Sequence, residues 1–165
     1  TLDLTVLRPS VIFGADDKFL NVFAQLQRVI PVIPLAGAGT RFQPVWVGDV
    51  AAAVHRCLLD ERTIGKTFEA CGPDVLSLRD LVRRAGQWSG AAGRRGRAGP
   101  GLPTPVARLQ AWVMERLPGE PLMTRDNLDS MAVDNIASRK LPGLGALGST
   151  PAALDPIAPA YLRRS

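Results

Sequence analysis

The sequence is poor in the side chains from which most catalytic and metal centres are assembled. Two cysteines, one histidine, one tyrosine and three lysines occur in 165 residues. Cys57 and Cys71 are too few and too scattered for a disulfide framework or a zinc site, so two reduced core thiols in a reducing compartment are expected. His55 falls in an amphipathic helical stretch with no serine, cysteine or ligand constellation around it. A structural histidine is expected, with no catalytic residue and no metal in this chain. Tyr161 is the sole tyrosine, and Ser165 stands where a Tyr-x-x-x-Lys pair would need its lysine. Long apolar runs are missing too. The richest stretch, residues 19–36, is broken by Asn21, Gln25, Gln27, Arg28, Pro31 and Pro34, and no run reaches the roughly 18 residues that a membrane-spanning helix needs.

What is present is an ordinary globular balance, 46% hydrophobic and 21% charged, in a length that suits one compact domain. The net charge of +5 is unevenly spread. No acidic residue lies between Asp80 and Glu115, whereas Arg83, Arg84, Arg94, Arg95, Arg97 and Arg108 do. Such a stretch suits an acidic partner or a membrane surface met through Arg94, Arg95 and Arg97, or simply a solvated loop. Aromatic residues hardly interleave it, Trp88 and Trp112 apart, so nucleic acid is not an expected partner.

Along the chain, extended and helical patterns alternate. Leu4 to Leu7 forms a β-rich run that should end at Arg8-Pro9, because proline cannot donate to a ladder. Val11-Ile12-Phe13 leads to a turn at Gly14. Phe19, Leu20, Val22, Phe23, Leu26, Val29 and Ile30 recur at helical spacing, which predicts a helix over residues 18–30, capped by Asp16 or Asp17 and ended by Pro31. Gly37-Ala38-Gly39-Thr40 should reverse the chain between extended runs at Leu35-Ala36 and residues 42–47. Asp49 should cap a helix over residues 50–60. Residues 67–71 read as a strand. Ser77 with Asp80 resembles a capping box opening a helix through Trp88. Residues 89–104, rich in glycine, should form a flexible loop. Helices follow over residues 105–117, from Thr124, and from Ala152 to Arg163 behind Thr150-Pro151. This alternation predicts an α/β fold whose few short strands leave open sheet edges.

Gly143-Leu144-Gly145-Ala146-Leu147-Gly148 matches G-x-G-x-x-G literally. No strand precedes it, and the chain ends before the acidic ribose ligand expected about 20 residues on, so it is read as a decoy rather than a phosphate loop.

Three segments, read in order, carry a family resemblance. Leu7-Arg8-Pro9-Ser10-Val11-Ile12-Phe13-Gly14 is similar to the late-strand motif of extended short-chain dehydrogenases/reductases, the NAD-dependent epimerase/dehydratase family. Phe42-Gln43-Pro44-Val45-Trp46-Val47-Gly48-Asp49-Val50-Ala51 is similar to their strand-into-helix motif. Residues 65–73 with Ser77-Leu78-Arg79-Asp80-Leu81 are similar to the strand and helix that follow. Leu122-Met123-Thr124-Arg125-Asp126-Asn127 and Leu141-Pro142-Gly143-Leu144 narrow the likeness to the atypical branch that includes the nucleotide-binding accessory subunit of respiratory complex I and its bacterial relatives.

The resemblance implies the C-terminal part of a Rossmann-type fold. Residues 1–14 would be a late strand and loop, 15–88 a mixed α/β lobe, 89–104 the arginine- and glycine-rich loop and 105–165 a helical portion. The dinucleotide-binding half, with its glycine loop and catalytic tyrosine and lysine, would be encoded elsewhere; the opening Thr1, with a strand almost at once, agrees with that. It also implies NAD(P) as cofactor, NADP slightly ahead of NAD, met by Pro9, Ser10 and Val11 and bound weakly or not at all by this chain alone. Ser10 in particular would keep its N–H free for the nicotinamide carboxamide, unless these residues are only a strand end packed under a loop. Phe42, Gln43 and Pro44 would border the substrate side of the cleft, with Gln43 otherwise a strand residue facing water. Where sugar-nucleotide epimerases keep an arginine seven residues before the aspartate, Phe42 stands here, and Arg41 is one residue early. That offset turns a strand side chain to the other face unless a bulge intervenes.

Three readings follow: an accessory or assembly component of a respiratory complex with a largely structural nucleotide, part of an active reductase, epimerase or isomerase, or a basic interaction module. The expected location is cytoplasmic, or peripheral on the inner membrane, on the matrix side in a mitochondrion.

Overall fold

The computed structural model describes residues 2–29, 33–91, 98–101, 105 and 133–163. Arg94, Arg95 and Arg97, the expected helices over residues 105–117 and from Thr124, the motif at residues 122–127 and the break at Pro31 lie outside the described residues.

Among the described residues, eight short strands and four α-helices alternate. They are β1 (Val6–Pro9), β2 (Ile12–Phe13), α1 (Leu20–Val29), β3 (Ile33–Leu35), β4 (Arg41–Phe42), β5 (Val45–Trp46), α2 (Val47–Leu59), β6 (Thr67–Ala70), β7 (Leu76–Ser77), α3 (Leu78–Trp88), β8 (Ala98–Gly101) and α4 (Leu154–Leu162). The strands pair two by two rather than in one small sheet. β1–β6, β2–β5 and β3–β8 are parallel and β4–β7 antiparallel. The α/β class read from the alternation is what the structure adopts.

Two apolar clusters organise these pieces. One joins Phe13, Leu20, Ala24, Leu35 and Phe42 to Leu78, Leu81, Val82 and Ala85 of α3 and to Leu154, Ala158 and Leu162 of α4. The other gathers Val45, Ala53, Phe68 and Ala70 with Leu144 and Leu147. The glycine-spaced segment of the decoy motif therefore serves packing. Leu144–Leu147 is a 3-10 turn with both leucines buried, preceded by no strand.

The caps explain where helices begin. Asp17, not Asp16, caps α1: its Oδ1 accepts the backbone N–H groups of Phe19, Leu20 and Asn21 at 2.9, 2.6 and 3.3 Å. Its Oδ2 accepts from Gly14 N–H at 3.3 Å and from the Tyr161 hydroxyl at 2.8 Å, tying α4 to the start of α1. Ser77 caps α3 as its spacing predicts, accepting from Asp80 N–H at 3.1 Å and donating to the Asp80 carboxylate at 2.6 Å. Inside the α1–α3 contact the fully buried Gln27 donates to Val82 O at 2.6 Å. A Cβ on Gly86 would collide with that carboxamide.

β1 ends at Pro9, as expected, and the ladder bond at that end is given by Ser10 N–H to Ala70 O, 3.1 Å, and needs no donor from proline. Four expectations are corrected. The reversal at Gly37, φ 62°, is present, but its flanks do not pair as a hairpin. Its carbonyls are engaged instead by α3, Leu78 N–H to Thr40 O at 2.9 Å and Arg79 N–H to Ala38 O at 3.1 Å. α2 starts at Val47, behind Trp46, with no side-chain cap. Asp49 sits inside its first turn and accepts Ala152 N–H at 2.7 Å. That bond holds the chain before α4 extended, so α4 begins at Leu154 rather than at Ala152. Within the expected loop of residues 89–104, residues 98–101 form β8 against β3.

Two measurements probe this frame. Gly86→Ala is expected to lower stability by about 1–3 kcal/mol in urea unfolding, by overpacking against Gln27. Burial and the Asp17 carboxylate push the Tyr161 hydroxyl well above the usual tyrosine range. The folded state therefore keeps a proton that the unfolded chain loses near pH 10, so stability falls as pH rises past about 10. As the sole tyrosine, Tyr161 should show no phenolate absorbance there until the chain unfolds, and Tyr161→Phe should flatten this part of the stability profile.

Candidate functional site

The C-terminal ends of β1 and β6 lie side by side, Arg8 opposite Glu69 and Pro9 opposite Ala70. The chain that leaves β1 meets the chain that leaves β4 here, and the return segment of residues 134–143 crosses both. Ser10 is buried at this junction. Its hydroxyl donates to Asn135 O at 2.7 Å and accepts from Gln43 N–H at 3.2 Å. Its own N–H is engaged by Ala70 O, so it is not free for a carboxamide. Val11 uses its carbonyl to accept Val45 N–H at 3.0 Å, and Pro9 stays exposed.

Gln43 is half-buried and lines a cavity, but its carboxamide is engaged within the chain. Its Nε2 donates to Gly72 O at 2.7 Å and its Oε1 accepts Ala137 N–H at 2.9 Å. Its backbone N–H also reaches Asn135 O at 3.1 Å, and its carbonyl accepts Gly72 N–H at 3.3 Å. Gly72 has no room for a side chain, since a Cβ there would run into the Pro44 carbonyl. Pro44 is buried.

Arg41 and Phe42 obey the two-residue strand period. Phe42 is 6% exposed and packs its ring 5.7 Å from that of Phe19. Arg41 points the other way, with its Nε and Nη2 on Asp134 Oδ2 at 2.8 and 2.6 Å and its backbone N–H on Asp134 Oδ1 at 2.8 Å. This contact holds the Asp134 carboxyl below the usual aspartate range. No bulge at β4 returns Arg41 to the inner face, as Arg41↔Ser77 and Phe42↔Leu76 pair in step.

The functional candidate that the sequence reading missed is Glu69. It is 9% exposed, in the middle of β6 between the buried Phe68 and Ala70. Its Oε1 accepts Ser138 N–H at 3.0 Å. Among the described residues, Oε2 is the buried side-chain atom left without a hydrogen-bond partner. Contacts from Ser138 hold the carboxyl below the usual range against the opposing effect of burial, helped by Arg139 N–H and by the charge of Arg8. Two cavities of about 350 and 330 Å³ share Glu69 and Cys71 in their walls. The larger is bordered by Arg8, Pro9, Ser10, Asn135 and Ser138. The smaller lies on the Gln43 and Gly72 side, against Arg139, Leu144 and Pro151. Burial pushes the Cys71 thiol up, which keeps it a thiol rather than a nucleophilic thiolate at neutral pH. The signal in the sequence was an acid inside an otherwise apolar strand run, a residue type rarely buried without a partner.

Among the described residues no three His, Cys, Asp or Glu side chains are grouped to hold a metal ion, and no helix is long and apolar enough to cross a membrane. The junction can bind through an acceptor at Glu69 and a donor at Arg8.

No protein-family model matches the chain. It is 33% identical over 168 residues to the mitochondrial NADH dehydrogenase [ubiquinone] 1 alpha subcomplex subunit 9 of Rattus norvegicus, covering 98% of this chain and 42% of that one. To the Arabidopsis thaliana protein of the same name it is 30% identical over 150 residues, 82% of this chain and 35% of that one. The chain thus spans about two fifths of these relatives' length. Among solved structures, a human epimerase family protein with NADPH superposes with a TM-score of 0.59 at 18% identity, over 96% of this chain and 46% of that one. A Thermus thermophilus UDP-glucose 4-epimerase in complex with NAD gives 0.56 at 18% identity, over 95% and 45%. These likenesses give the fold, part of a Rossmann-type epimerase architecture.

The junction's polar bonds set a clear order of mutational cost. Gln43→Ala leaves Gly72 O and Ala137 N–H without their partner and should cost about 2–3 kcal/mol in denaturant unfolding, whereas Arg41→Ala, removing an exposed ion pair, should cost under about 1 kcal/mol.

Proposed function

Because this chain is related along nearly its whole length to the alpha subcomplex subunit 9 of NADH dehydrogenase and carries the extended short-chain dehydrogenase/reductase fold, we propose that it forms the substrate-side rim of a nucleotide-binding accessory protein of an NADH:ubiquinone oxidoreductase. The nucleotide in that protein is largely structural. The observation that carries this reading is the match to the subunit relatives over 98% of the chain. Within the site, Phe42 turned into the core and Arg41 turned out to Asp134 weigh against a sugar-nucleotide substrate, since no arginine lies on the inner face of β4 to meet its pyrophosphate.

The cofactor is NAD(P), NADP slightly ahead of NAD, with Pro9, Ser10 and Val11 under its nicotinamide end. Arg41, Phe42, Gln43 and Pro44 build the substrate-side wall, Gln43 and Ser10 by locking the strand ends in place and not by reaching for a ligand. Pro9, exposed and with no N–H to satisfy, is the member of the first trio that offers a surface.

A dinucleotide-binding half joins this rim along β1. Among the described residues β1 pairs with β6 alone, leaving its other edge open. Leu2 and Leu4 beside it are 92% and 60% exposed, and α2 leaves Val47, Val54 and Leu58 exposed at helical spacing. An open parallel edge flanked by apolar side chains is the surface an adjoining sheet covers. In the relatives, more than half of the chain lies outside the matched region. Arg94, Arg95 and Arg97 are proposed to meet an acidic subunit surface or anionic headgroups at the inner membrane, on the matrix side in a mitochondrion.

Expressed with the residues encoded upstream of Thr1, the protein should retain NADPH through gel filtration at near-equimolar ratio and comigrate with the respiratory complex on native gels. The 165-residue chain should retain little NADPH. Rapid turnover of NADPH with a small carbonyl substrate by the longer protein would overturn the accessory reading in favour of an active reductase.

A further inference from the structure

Glu69 grips the return segment at two points. Its backbone N–H donates to Pro142 O at 2.9 Å, and Gly143 pairs with it in a single parallel bridge. Its side chain crosses to the other end of the same turn, where Oε1 accepts Ser138 N–H at 3.0 Å. Residues 138–142 are thus an arch closed over one residue of β6. Inside the arch Arg139 has φ 60°, the one non-glycine residue with positive φ among the described residues. That conformation brings Cβ against the following carbonyl, a strain that glycine escapes. It also turns successive N–H groups to one side, the arrangement that gathers an anion. Ser138 N–H first, and then Arg139 N–H, accordingly hold the Glu69 carboxyl below the usual range against the effect of burial.

A second cost falls on the same contact. Glu69 is 9% exposed, and its Oε2 is buried without a partner. Closing the arch therefore dehydrates a carboxylate and strains an arginine backbone at one place, and opening it relieves both. The chain on either side is firm by contrast. Before the arch, Gln43 Oε1 holds Ala137 N–H at 2.9 Å and the Ser10 hydroxyl holds Asn135 O at 2.7 Å. After it, Leu144 is buried in the cluster of Phe68 and Ala70. Ser138, Arg139 and Lys140 themselves are exposed.

We propose that residues 138–142 form a strained lid, hinged between Ala137 and Leu144 and latched shut by Glu69. Local opening breaks the two bonds that Glu69 makes, from Ser138 N–H and to Pro142 O, and leaves the anchors at Asn135 and Ala137 intact. Ser138 borders the larger cavity and Arg139 the smaller, and Glu69 stands in the wall of both. Opening the lid removes the partition between them and uncovers the carboxylate. The lid is built from this chain's own residues and stands whether or not the longer protein holds a nucleotide.

Amide hydrogen exchange on the isotope-labelled 165-residue chain, read residue by residue under native conditions, tests the lid. The amides of Ser138 and Glu69 should open together and be at least about tenfold less protected than those of Gln43 and Ala137. Arg139→Gly removes the strain of the closed lid and should raise protection at both amides about three- to tenfold, with Gln43 unchanged. Arg139→Ala takes away the side chain but keeps the strained backbone, and should leave protection within about twofold of wild type. Glu69→Gln keeps an oxygen for Ser138 N–H but loses its charge, and should lower protection at Ser138 about tenfold. The two Arg139 variants, at an exposed position, carry the test if Glu69→Gln disturbs the fold. Equal protection at Ser138, Glu69, Gln43 and Ala137 means that the segment opens only with the whole chain, and overturns the lid. So does an Arg139→Gly variant with no gain, or with a gain that Arg139→Ala matches, since the closed state would then hold no backbone strain to release.

Discussion

The architecture turns on one hydroxyl and one carboxamide. Ser10 and Gln43 join the ends of β1 and β4, the Gly72 turn after β6 and the return segment at Asn135 and Ala137 through bonds of 2.7 to 3.2 Å. Half of the described strands are two residues long, too short for ladder bonds alone to hold their register. A side chain that both donates and accepts can link backbone segments where no sheet is wide enough to do so. Gly72 completes the arrangement by letting the Pro44 carbonyl approach without a side chain in the way.

The same economy appears at the two aspartates that hold the C-terminal helix. Asp17 serves the start of α1 and the Tyr161 hydroxyl together, and Asp49 serves Ala152 from within α2. Each accepts donors that would otherwise be buried unpaired, so cap, turn and interhelix contact are one interaction. The apolar clusters then fill the space that these bonds define, α3 and α4 against α1 on one side and the Leu144–Leu147 turn under β6 on the other.

Local chemistry was legible in the sequence and long-range pairing was not. Ser77 and Asp80, three residues apart, announce the start of α3, and an aspartate ahead of Phe19 announces α1; both are settled within one helical turn. The alternation of Arg41 and Phe42 told which faces out, because a strand's period is two. The likeness of residues 7–14 and 42–51 to extended short-chain dehydrogenases led to the right fold. Hidden from such reasoning were the partners: β4 chooses β7 over the run before its own turn, and β3 finds β8 inside a stretch whose glycines read as loop. Asp49 looked like a cap because capping residues precede helices, but its carboxylate is taken by a residue 103 positions away. Ser10 looked open because nothing nearby claims its N–H, and Ala70 claims it from across the sheet. Glu69 lay between these cases, an acid in an apolar run that marks a place without naming its partner.

Two of the bonds that close the molecule span long stretches of sequence. Tyr161 reaches back 144 positions to Asp17, and Asn135 reaches back 125 to Ser10. On the ribosome, β1 and α1 are made long before either partner exists, and closing loops of that span is slow. The junction therefore matures only after the stretch from Asn135 to Tyr161 has been synthesised. Until then Ser10 and Asp17 lack these partners, and that stretch acts as the clasp that shuts the junction. In cells, this makes residues 135–161 the point at which synthesis errors, early stops or proteolytic cuts would leave the earlier elements unable to close, and a target for chaperones and proteases.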